Sequence, residues 1–161
     1  MELNDNIPCR SEKEQLWASL FNAAIWKASI PDAEKYELIG ENLYEMDVIT
    51  DIGPIKGLQT VQIQFSDLQP PQTCSFEVLH GLVKTAKGSF ELKDSGLLEL
   101  EEMELFLGLP EGTRTLLFYT LEADTGNPLF NAMLETFKGK IKDGFGEILT
   151  RVELNTREQF N

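Results

Sequence analysis

Histidine is nearly absent from this chain of 161 residues: His80 is the only one. A multi-histidine metal centre within one chain is therefore excluded. The two cysteines, Cys9 and Cys74, lie far apart with no Cys-x-x-Cys spacing. Neither a zinc ribbon nor a redox dithiol is expected, and each reads as a small, reduced, half-buried residue. Carboxylate-only metal binding lacks a clustered loop signature. Basic residues are scarce too: 14 Lys plus Arg stand against 27 Asp plus Glu, for a formal net charge of −13. Phosphate backbones and anionic headgroups repel such a surface, which argues against nucleic acid and against polybasic docking on membranes. Solubility accounts for the charge, with a basic protein partner as the sharper alternative. No run approaches the ~18 consecutive apolar residues of a membrane span. Residues 1–6 have neither the basic nor the apolar region of a signal peptide. A cytoplasmic protein without an integral membrane segment is expected. Gly-x-Ser-x-Gly, a Gly-rich phosphate loop and a local Cys–His pairing are also missing.

What is present reads as one domain with a sizeable core, since 42% of the residues are hydrophobic and 25% charged. Residues 2–9 form a short strand. Ser11 with Glu14 reads as a capping box opening a helix through Leu16, Trp17, Leu20 and Phe21. Asn22 caps a second short helix, 23–28, which Pro31 stops. Strands follow at 36–39, 44–52 and 58–65, the second with mostly apolar even positions and mostly acidic odd ones, the mark of a half-buried antiparallel strand. Cys74, Phe76, Val78, His80 and Leu82 share one face of a further strand. In the next strand the inward set begins Ala86, Gly88, small residues that let a helix or ligand approach the backbone. The last strand, 113–123, is apolar on both faces, so Leu116 and Phe118 need a cover. A final helix over 128–158 carries the stripe Phe130, Leu134, Phe137, Ile141, Phe145, Ile148 and Val152. Gly139, Gly144 and Gly146 interrupt it, for close packing or a bend on one reading and for a flexible lid on the other.

The punctuation of the chain carries a resemblance. Ile7-Pro8-Cys9 before the capped helix, Ile30-Pro31-Asp32-Ala33-Glu34, Gly53-Pro54-Ile55-Lys56-Gly57, Asp67-Leu68-Gln69-Pro70-Pro71 and Ala86-Lys87-Gly88-Ser89 occur in that order and spacing. In this it resembles the carbon monoxide dehydrogenase G-subunit proteins, a branch of the START-like (SRPBCC, helix-grip) superfamily, over residues 1–93 and 113–158. The resemblance implies an α+β helix-grip fold: a curved antiparallel sheet of about six or seven strands wrapped round the long C-terminal helix, with an internal cavity. It also implies association with carbon monoxide dehydrogenase or a similar molybdenum hydroxylase, in maturation, membrane recruitment or lipophile handling. Some members carry a C-terminal membrane-anchoring extension, and this chain ends at Asn161, soon after its helix. The acidic, leucine-rich segment at about 94–112 departs from the family pattern. It is expected to cover Leu116 and Phe118, within the chain or across a homodimer.

A hydrophobic small molecule such as a lipid, quinone or isoprenoid is the expected ligand, and no cofactor or metal is expected. Inward parity nominates Met46 and Val48 on one strand, Val61, Ile63 and Phe65 on the next, and Phe76, Val78 and His80 on the third. Tyr119 from the last strand and Phe137, Ile141 and Phe145 from the helix complete the pocket. No catalytic residue is expected. The alternatives are a cyclase- or hydrolase-like enzyme of the same superfamily using His80 as general acid or base, and an adaptor with a filled core.

Overall fold

Period-two alternation builds one sheet, and its order explains how two separate helices come to face it. The computed structural model describes residues 1–52, 55–80, 83–95 and 109–160. Strand β1 (Glu2–Cys9) leads to helices α1 (Lys13–Leu20) and α2 (Ala23–Ser29). Strands β2 (Lys35–Gly40), β3 (Leu43–Ile52), β4 (Ile55–Gln69), β5 (Thr73–Leu79), β6 (Thr85–Asp94) and β7 (Thr115–Asp124) follow. Helices α3 (Pro128–Thr136) and α4 (Lys138–Phe160) close the chain. The strands lie in the order β1-β7-β6-β5-β4-β3-β2, every pair antiparallel. Strands β1 and β2 thus occupy opposite edges, and α1 and α2 carry the chain between them. Helix α4 packs on α1, α2 and β1. This is the curved-sheet, long-helix architecture expected of a helix-grip domain.

The inward parity holds through the sheet. Tyr44, Phe65, Phe76, Phe90 and Tyr119 are all buried, and their rings touch in series. Tyr44 meets Phe65 edge-on at 5.8 Å, Phe76 lies 4.8 Å from Phe90, and Tyr119 meets Phe145 of α4 at 4.7 Å. Each such burial contributes roughly 1.5–3 kcal/mol before ordering costs. Gly88 corrects one expectation: what approaches its backbone is neither a helix nor a ligand. Phe76 stands directly opposite it in β5, and a Cβ there would lie 2.5 Å from Phe76 Cζ and 2.1 Å from the Thr120 carbonyl oxygen. The glycine makes room for the neighbouring strand and its aromatic ring.

The capping box does not form. Glu12 occupies the N-cap of α1 without a side-chain bond, because the N–H groups of Arg10 and Ser11 are claimed by Glu153 of α4. That carboxylate, 4% exposed, accepts from Arg10 N, from Ser11 N at 3.2 Å and from Arg157 Nε at 2.7 Å. Around it, Thr156 Oγ1 donates to Ser19 Oγ at 2.7 Å and Asn155 Nδ2 to Ser29 Oγ at 2.9 Å. The second cap does form: Asn22 accepts from Ala24 N and Ile25 N.

The C-terminal helix is two helices rather than one. Asn127 caps α3, with Pro128 in its first turn, and the helix kinks at Phe137 (φ −95°, ψ 7°) before α4 begins. The buried residues of α4, Leu149, Val152, Glu153 and Thr156, all lie in its second half, on one helical face. The first half carries Gly139, Gly144 and Gly146, and a Cβ at any of them would meet nothing within 4 Å. Close packing is not why they are glycines.

Both thiols are more buried than half: Cys9 is 0% exposed and Cys74 2%. Burial pushes the Cys74 thiol up to about 11 and raises Cys9 further, with Glu153 adding to the effect at Cys9. Because the thiolate is the nucleophile, neither should react with a disulfide reagent at neutral pH until the protein unfolds. Absorbance of the released thiol, read with and without denaturant, checks this. Leu116 is fully buried and Phe118 is half-buried, with Lys93 Nζ 5.3 Å from its ring centroid. The Gly53-Pro54 turn, Leu82 and residues 96–108 of the acidic segment lie outside the described residues.

Candidate ligand-binding site

The concave face of the sheet does not close completely on α4, and a cavity of about 380 Å³ remains between them, within the range of roughly 300–1,000 Å³ for small-molecule sites. Its floor is built by parity from three strands: Met46 and Val48 of β3, Ile63 and Phe65 of β4, Phe76 and Val78 of β5. Phe90 of β6 and Leu121 of β7 extend it. The α2 end contributes Trp26, Ile30 and Pro31, and α4 contributes Gly144, Phe145, Glu147 and Ile148. Trp26 is held in place by its indole N–H, which donates to the Leu20 carbonyl at 2.8 Å, and by stacking on Tyr36 at 5.9 Å. Tyr44 is fixed in the same manner, its hydroxyl donating to the Phe21 carbonyl at 3.0 Å.

Of the twelve nominated residues, the pocket brings together Met46, Val48, Ile63, Phe65, Phe76, Val78 and Phe145. The other five are placed elsewhere. Val61 lies on the inward face opposite Met46 but outside the lining. Tyr119 is 1% exposed and packs behind Phe145 as core. Ile141 packs against the hydrophobic core, and Phe137 sits at the helix kink. His80 is half-buried where β5 ends, with Nε2 2.8 Å from Gln59 Oε1. It faces a separate depression that includes Thr60, Gln62 and Lys84.

Several lining residues escape a sequence reading. Phe90 and Leu121 share the inward parity of Gly88 and Tyr119, so the signal was there. Trp26, Ile30 and Pro31 belong to a seven-residue helix and its exit, too short to show a stripe. The chemistry of the lining is one-sided. Among the described residues Glu147 is its one ionisable group, paired with Arg151 Nη2 at 2.6 Å, and Thr50 adds a hydroxyl. The hydroxyls of Tyr36 and Tyr119 are buried without a partner among the described residues. Burial raises the pKa of both, Tyr44 adding to it at Tyr36, and Asp5 and Asp143 at Tyr119. Among the described residues no group of three or more His, Cys, Asp or Glu is placed to hold a metal ion, and no helix is long and apolar enough to cross a membrane.

Residues 7–93 match the family model of the carbon monoxide dehydrogenase G subunit (CoxG). No curated protein matches the chain by sequence. Among solved structures, a conserved protein from Geobacillus kaustophilus superposes with a TM-score of 0.73 at 20% identity, covering 98% of this chain and 96% of that one. The Zhui aromatase/cyclase from Streptomyces sp. R1128 gives 0.69 at 14% identity, covering 100% and 96%. A Thermus thermophilus protein gives 0.67 at 14% identity, covering 100% of both chains. At these identities the likeness establishes the fold, which is the START-like, helix-grip one.

Proposed function

The chain belongs to the CoxG family, the G subunits of carbon monoxide dehydrogenase, and from that membership we propose that it binds a hydrophobic small molecule without transforming it. The ligand class is a lipid, quinone or isoprenoid, and the site is the cavity beneath α4. The single observation that carries this reading is the lining: aromatic and aliphatic side chains from β3 to β7, α2 and α4 converge on about 380 Å³ of space. A filled core would leave no such space. The accessory role, beside a carbon monoxide dehydrogenase-type molybdenum hydroxylase or another redox enzyme in the cytoplasm, rests on the family alone.

The enzyme alternative draws on the fold shared with an aromatase/cyclase and needs an acid or base over the ligand. His80 is the candidate, and it faces Gln59 and the second depression rather than the apolar lining. Its place outside the cavity speaks for binding, because an acid or base must stand within hydrogen-bond reach of the reacting group.

Two variants test the reading together, with a neutral fluorescent lipophile such as N-phenylnaphthylamine as probe. Val48→Trp puts an indole into the cavity from a strand that tolerates it, so probe affinity should fall by about tenfold or more while melting stays within a few degrees. His80→Ala should leave affinity within about twofold. If Val48→Trp binds like the parent, the cavity is not the site.

A further inference from the structure

We propose that this pocket is charge-selective: it takes uncharged, unsaturated ligands and rejects anionic amphiphiles, with Glu147 at its rim setting that preference. The inference rests on the ligand-binding reading above and narrows it. A carboxylate or sulfonate that leaves water needs a cation or several N–H donors around it. None of the described lining residues is Lys, Arg or His. Trp26 Nε1–H is committed to the Leu20 carbonyl and the Tyr44 hydroxyl to the Phe21 carbonyl, while the Tyr36 and Tyr119 rings pack on Trp26 and Phe145 without joining the lining. An anion entering head first would be buried without a cation to pair with.

Entering tail first does not help it. The head would then rest at the rim, where Glu147 is the one ionisable group among the described lining residues. Arg151, which pairs with Glu147, stands one turn further along α4 and does not line the pocket, so the pair turns its negative end to the opening. Of the other cations in the first half of α4, Lys140 Nζ is held by the Asp51 carbonyl at 3.0 Å and Lys142 faces Asp5 at 3.7 Å, and neither they nor Lys138 line the pocket. A net charge of −13 repels the anion before it arrives. What the pocket offers is ring faces and edges, from Trp26, Phe65, Phe76, Phe90 and Phe145, which suit a planar unsaturated ligand.

N-phenylnaphthylamine and anilinonaphthalene sulfonate test this directly, because they share one skeleton and differ by a sulfonate. In fluorescence titrations at low salt the neutral probe should bind about tenfold or more tighter. Glu147→Gln should narrow the gap between the two probes about threefold or more in favour of the sulfonate, with the change shrinking as salt is added. Equal affinity for the two probes in the parent protein would overturn the proposal. So would a Glu147→Gln variant that shifts both probes alike. Failure of both probes to bind is a different result: it brings down the ligand-binding reading, and the selectivity with it.

Discussion

Gly88→Ala should destabilise the protein by about 3–5 kcal/mol, more than its single added methyl suggests. The new Cβ would lie 2.1 Å from the Thr120 carbonyl oxygen and 2.5 Å from Phe76 Cζ. The phenyl ring could turn aside, but the carbonyl belongs to the backbone of β7, in the ladder that pairs Ser89 with Thr120. Relief therefore requires β6 and β7 to part, one strand in from the β1 edge of the sheet. At this chain length the cost corresponds to a fall in Tm on the order of 10 °C. Phe76 is also part of the pocket floor, so affinity for a neutral probe should fall with stability. Adding Phe76→Leu to Gly88→Ala should recover only part of the loss, since it removes the ring contact and leaves the carbonyl in place. Thermal melting of both variants checks this, and a Tm within about 2 °C of the parent for Gly88→Ala contradicts the packing described.

Glu153→Ala should cost about 2–4 kcal/mol, the second largest single effect. Removal of this buried carboxylate leaves the N–H groups of Arg10 and Ser11 without their acceptor and Arg157 without its partner. Arg157 is partly exposed, 31% at its side chain, so water recovers some of that loss. Glu153→Gln keeps one acceptor oxygen and should cost about half as much. The consequence for function follows from position. Glu153 fastens the second half of α4 to the β1–α1 junction, and the first half of the same helix roofs the cavity. Loosening the fastening should lower probe affinity as well as Tm. Denaturant titration with the probe present and absent separates the two effects.

The alternation of β3, β4 and β5 made six floor residues legible, because a period of two leaves one choice of face and the acidic odd positions of β3 settle it. The helix face was legible for Phe145 on the same principle. What stayed hidden depends on partners far away in sequence. Ser11 looks like a helix cap until a glutamate 142 residues later takes its N–H. Glu153 is not singled out in the sequence, because the backbone groups that it serves at Arg10 and Ser11 lie at the other end of the chain. The kink at Phe137 has no proline, and the three glycines that follow it meet open space rather than a neighbour. Val61, Ile141 and Tyr119 show the limit of parity: it gives the face, whereas the curvature of the sheet and the path of α4 decide which inward residues reach the cavity. His80 lies on the inward face by the same count, yet it stands where β5 ends and bridges to Val83, outside the enclosed space.

Native mass spectrometry of the freshly purified protein tests the central claim most directly. The account predicts a population heavier than the bare chain by the mass of one uncharged apolar molecule. That mass should disappear on organic extraction and be missing from Val48→Trp purified in parallel. A parent protein that flies only at the mass of the bare chain, and takes up no neutral lipophile when one is added, would contradict it.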